Sequence, residues 1–106
     1  MSAPVLLACA ATTFALAVPV TAAAGALEAG HRAAGAADAA ALAAADAAAG
    51  WVEAEPCALA ARVVDAVGAE LGACLLEESS GEARVTVVVG TLFGAVDARA
   101  RAGPPS

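Results

Sequence analysis

From Ala3 to Leu27 the chain carries no charge, and its only hydroxyls are those of Thr12, Thr13 and Thr21. An apolar stretch of about 20 residues suffices to cross a bilayer as a helix. The pattern therefore predicts a transmembrane helix over 3–27. From Glu28 to Gly50 the text becomes Ala with Asp38, Leu42 and Asp46 set into it. Ala is the strongest helix former, so the same helix is predicted to continue out of the membrane into water. Gly25, Gly30 and Gly35 each weaken it by up to about 1 kcal/mol. The large residues at heptad spacing that a coiled coil needs are missing.

Trp51 to Glu55 breaks this pattern, and Pro56 suits the first position of a second helix. Leu59, Val63 and Val67, with Ala60 and Val64, recur at spacings of three and four. Gly68 is placed to end that helix. Ala73 to Leu76 is a short apolar strand, and Glu78-Ser79-Ser80-Gly81 is a turn. Arg84 to Val89 is β-branched, the strongest strand signal in the chain. Gly90 and Gly94 bracket a second loop. Val96 to Arg101 alternates apolar and charged residues, as a strand with one wet face does. Gly103-Pro104-Pro105 ends regular structure.

The expectation is an α+β chain with four parts. An N-terminal transmembrane helix (3–27) continues into a long Ala-rich helix (28–50). A second helix and a three-stranded antiparallel meander form a small head (51–103), and 104–106 are a tail.

The apolar run admits three readings. A cleaved secretory signal needs a basic segment ahead of it, and Met1 to Val5 has none. Leu6-Leu7-Ala8-Cys9 fits a lipobox, yet such a box follows the apolar stretch and here comes near its start. A retained membrane helix needs only length and lack of charge, and it is the reading adopted. Pro19 removes one backbone donor and bends the helix. Small residues, Ala22 and Gly25 among them, let neighbouring helices approach closely in lipid. The expected partners are thus the membrane and other membrane helices. Arg32 and His31 after the run weakly favour a cytoplasmic head by the positive-inside rule.

Composition sharpens this picture. The hydrophobic share of 61% is mostly Ala, which buries little area, and Phe14, Trp51 and Phe93 are the only rings. A head this small has a thin core and gains from an added constraint. Lys is absent and all basic residues are Arg, which fits a GC-rich coding bias. The net charge of -6 and the lack of a basic stripe exclude nucleic acid as the expected partner.

Cys57 and Cys74 supply the candidate constraint. A helix from Ala58 to Val67 advances about 15 Å, and a strand from Glu70 to Cys74 returns about 13 Å. The two thiols then come level, near the Cα separation of about 6 Å that a disulfide needs. The alternative is two unpaired buried thiols. A disulfide belongs outside the cytoplasm, so this pair favours an extracytoplasmic head. Cys9 is read as a small apolar residue of the anchor.

Candidate chemistry adds little. His31 is the sole His and has no ligand partners at metal spacing, so it is read as a residue at headgroup level. There is no Ser/His/Asp or Cys/His set and no glycine-rich phosphate loop. Glu53 and Glu55 have no companion that would mark an acid–base pair. No catalytic residue, cofactor, metal or small-molecule substrate is expected, and the chain is read as a non-enzyme.

Several stretches in order carry a resemblance. They are His31-Arg32-Ala33-Ala34-Gly35-Ala36-Ala37-Asp38 with the run to Ala45, then Pro56-Cys57, then Gly68-Ala69-Glu70-Leu71 followed by Cys74. Val85 to Val89 and Ala98 to Pro104 complete the set. Together they resemble the short TadE-like (TadE/TadG-like) proteins found beside tight-adherence (Tad/Flp) pilus and secretion genes of high-GC bacteria. The resemblance implies a minor pilin-like, or pseudopilin, component of the cell membrane. It would be a single-pass protein that packs with other pilin-like or secretion-system helices and presents an exposed head. The Gly and nearby Glu at which a prepilin peptidase cuts such proteins are not carried over, since the first Glu here is Glu28. The alternative from another class is a membrane-anchored extracytoplasmic adaptor with no filament role.

Overall fold

A computed structural model describes residues 2–92 and 94–104, with the backbone but not the side chain of Ala22. Phe93 and the tail residues Pro105 and Ser106 lie outside the described residues. The elements run α1 (Ala3–Ala48), α2 (Pro56–Ala66), β1 (Glu70–Glu77), β2 (Glu82–Thr91) and β3 (Gly94–Ala102). The three strands form one antiparallel sheet in the order β1-β2-β3, the expected meander.

The transmembrane candidate and the Ala-rich stretch are one unbroken helix, which gives the molecule its 73 Å length. The two helices end in the same way. At the end of α1, Gly50 N–H donates to the Ala47 carbonyl and Trp51 N–H to that of Asp46. At the end of α2, Gly68 N–H donates to Asp65 and Ala69 N–H to Val64. Each pair is a Schellman cap, which needs a left-handed residue at its turn. Gly50 and Gly68 supply it with φ of 85° and 73°. The missing Cβ of Gly68 would meet nothing within 4 Å, so only the backbone opposes a side chain there. Gly68→Ala is therefore expected to destabilise the fold by about 1–2 kcal/mol, read as a lower denaturation midpoint at unchanged slope.

At its start α2 is capped by Glu55, whose carboxylate accepts from the N–H of Cys57 (3.2 Å) and of Ala58 (2.6 Å). Pro56 fits the first turn because its missing donor would have no helical partner.

The core lies between the helices and one face of the sheet. Ala83, Val85, Val87 and Val89 of β2 point inward and are buried. Ala98 and Ala100 of β3 and Leu71, Cys74 and Leu76 of β1 join them from either side. Ala60 and Val64 of α2 close one part. The other wall is α1 itself: Ala29, Ala33, Ala36, Ala37, Ala40, Ala41, Ala44 and Ala47 form a buried line down its second half. The Ala-rich helix does continue from the apolar stretch, but it is not surrounded by water. One side of it is the spine of the head, because side chains this small let a sheet lie close against a helix.

β1 starts at Glu70, the start that brings Cys74 level with Cys57, and extends beyond the apolar stretch Ala73 to Leu76 on both sides; its register with β2 shifts between Leu71 and Ala73. That irregularity breaks the period-two pattern near the start of the strand.

Candidate functional site

The first half of α1 is the feature most open to a functional reading. Among the described residues it is the one helix long and apolar enough to cross a membrane, and none of that apolar window is buried within the chain. Leu6, Leu7, Phe14, Leu16, Val18, Val20 and Leu27 are all exposed. Its exposed hydroxyls are engaged in local bonds. Thr12 donates to the Ala8 carbonyl, Thr13 to Cys9 and Thr21 to Ala17, at 2.8–2.9 Å. This back-bonding leaves methyl groups, not O–H groups, to face the surroundings. Pro19 sits inside the helix without ending it.

The expected helix-packing residues fall unequally. The side chain of Ala22 lies outside the described residues. Gly25 is exposed and nothing approaches the Cβ it lacks. It lines a groove of about 830 Å³ between α1 and the tip of the β2–β3 hairpin. His31 and Arg32 are exposed just beyond it.

The expected disulfide is present. Cys57 and Cys74 are bonded with their Cα atoms 5.8 Å apart, tying the first turn of α2 to β1. Cys9 is a free, exposed thiol on the apolar helix.

The outer face of the sheet carries most of the charge chemistry. Arg84 Nε donates to Glu82 Oε1 at 2.8 Å, and Arg101 stands 3.8 Å from the same oxygen. The hydrogen bond from Arg84 holds the Glu82 carboxyl below the usual glutamate range and raises the Arg84 guanidinium in turn. A carboxylate lowered in this way favours the fold above its unfolded pKa, and the gain fades as pH falls through the folded value. The pair is at the surface, where such contacts contribute little. Among the described residues no group of three His, Cys, Asp or Glu side chains converges on a metal-sized site, and no charged side chain is buried.

The sequence reading missed the Glu55 cap, although an acid directly before Pro at a helix start is the signal for it. It also missed the groove, whose walls come from opposite ends of the chain. Comparison of the chain with protein-family models, with curated proteins and with solved structures gave no match.

Proposed function

We propose that the chain is a minor pilin-like, TadE-like component of a Tad/Flp-type pilus or secretion system. In this reading the first half of α1 is a single-pass anchor in the cell membrane, and the head is presented outside the cytoplasm. The observation that carries it is the continuity of α1, apolar and bare along its first half and built into the head's core along its second. A displacement of the anchor in the membrane then passes to the head through one helix, with no flexible linker between them. The Cys57–Cys74 bridge supports an oxidising compartment for the head.

The anchor also supports a packing role. Ala8 and Ala15 lie seven residues apart, and Ala22 follows at the same interval in sequence. That spacing of two turns keeps small residues on nearly one line of a helix. Small residues are what close helix contacts in lipid require. Partner helices are proposed to seat along this line.

Membrane fractionation and crosslinking test the reading together. The chain should stay in the pellet after a carbonate wash and leave it with detergent. Ala15→Leu and Ala22→Leu should lower crosslinking to partner helices. Glu77→Gln and Glu78→Gln should not, because exposed charges usually matter within about 0.5 kcal/mol. Recovery as a soluble monomer defeats the anchor. Undiminished crosslinking of the bulky variants defeats helix packing and leaves a membrane-anchored adaptor as the better description.

A further inference from the structure

We infer that the tip of the β2–β3 hairpin is a second membrane contact, dipping into the headgroup region of the bilayer beside the anchor. The inference rests on the first half of α1 spanning the membrane.

Three observations lead to it. The first is where the tip lies. Val89 and Leu92 share one groove with Phe14, Val18 and Thr21 of the apolar helix. The groove also reaches Arg32, so its α1 wall runs from the uncharged stretch to the first charged residues. Glu28 is the first charge of the chain, and Thr21 precedes it by about 10 Å of helix rise. If Glu28 and Arg32 stand at headgroup level, a tip that faces Thr21 lies below that level. The depth matches the roughly 5–10 Å at which interfacial segments seat.

The second observation is how the hairpin distributes its charge. No residue from Val85 to Val96 is charged. Its charged residues, Glu82, Arg84, Asp97, Arg99 and Arg101, all lie on the side of that stretch away from the tip. Thr91, the polar side chain at the tip, donates to the Gly94 carbonyl at 2.6 Å, so its hydroxyl is already engaged. The end next to the anchor is therefore the end that tolerates loss of water.

The third is Leu92. It is 97% exposed, the most exposed of the large apolar side chains among the described residues. In water that exposure is unfavourable.

A lipid surface is the occupant these observations select. One wall of the groove is the membrane segment itself, so what fills the groove is what surrounds that segment. Arg32 at the groove's upper end can keep its apolar stem along the wall while its guanidinium meets headgroup phosphates. A hairpin held there fixes the tilt and rotation of the head against the bilayer, which a single anchor helix leaves free.

Tryptophan quenching in vesicles tests this. Trp51 is the sole tryptophan and is exposed at the far end of α1. Full-length Trp51→Phe protein carrying either Leu92→Trp or Leu16→Trp is reconstituted at low density into phosphatidylcholine vesicles. The acyl chains carry bromine at shallow or deep positions. Both reporters should lose emission, Leu92→Trp most strongly with the shallow bromines, while Trp51 of the wild type keeps its emission. Leu92 makes no core contact, so its replacement leaves folding intact. If Leu16→Trp is quenched and Leu92→Trp is not, the anchor stands and the hairpin contact is overturned. A blue shift of Leu92→Trp that disappears on dilution with lipid overturns it too, by assigning the tip to a second copy of the chain. If Leu16→Trp also escapes quenching, the spanning helix fails, and the hairpin contact fails with it.

Discussion

A fragment beginning at Trp51 is expected to stay unfolded, while one beginning at Glu28 folds. The reason is where the core finds its walls. α2 packs more on α1 than on β1, and the inner faces of β2 and β3 lie against α1 as well. Removing α1 uncovers Val85, Val87 and Val89, each now buried to within 3% of full exclusion from water. Burial of a Val is worth about 1.5–3 kcal/mol, so three of them amount to about 5–9 kcal/mol. The whole stability of a domain is only about 5–15 kcal/mol. Circular dichroism melting of the two fragments decides the matter. A cooperative transition in the fragment from Trp51 would show that the head holds itself together without the helix. The fragment from Glu28 keeps every residue of the buried core and, among the described residues, loses only exposed ones.

That boundary was the part of the fold least legible in the sequence. Both helices, the order of the strands and the bridged cysteines follow from periodicity, caps and element lengths. The burial of the Ala-rich helix does not. Ala33, Ala37, Ala40 and Ala44 are buried, yet Ala34, Ala39 and Ala48 are exposed. The same residue stands on both sides, so hydrophobic contrast vanishes and amphipathicity cannot be read from it. The contrast survives only in the residues that are not Ala. Glu28, His31, Arg32, Asp38, Leu42 and Asp46 are all exposed, and at 3.6 residues per turn they fall on one side of the helix. Read as a polar stripe, they mark the side turned away from the sheet. Leu42 obscures this, being a large apolar residue on the wet side, 58% exposed. The groove at the hairpin tip is hidden for another reason. Phe14 and Leu92 line it from opposite ends of the chain, and no local pattern reports a groove built over that range.

Loss of the Cys57–Cys74 bridge is expected to destabilise the head by about 3 kcal/mol. The cysteines are 17 residues apart, and in the chain-entropy model a closed loop of that size restricts the unfolded chain by this amount. The protein needs it more than a larger one would. α2 has 11 residues, too short to hold as a helix on its own, and among the described residues only Ala60 and Val64 of it are buried. With the bridge intact, its first turn cannot leave β1 without taking the strand along. With the bridge cut, α2 is held by its packing on α1, by the core contacts of Ala60, Val63 and Val64, and by the Glu55 cap. For a unit of this size about 3 kcal/mol corresponds to a fall of about 12–24 °C in melting temperature. Melting of the fragment from Glu28, oxidised against the Cys57→Ser/Cys74→Ser double variant, measures it. Equal midpoints would show that the bridge is incidental to the fold. A large fall has a consequence for topology, because the cytoplasm keeps thiols reduced. A head that needs its disulfide is stable on one side of the membrane and marginal on the other. Folding would then favour an extracytoplasmic head, against the weak cytoplasmic preference of the single Arg and His that follow the apolar run.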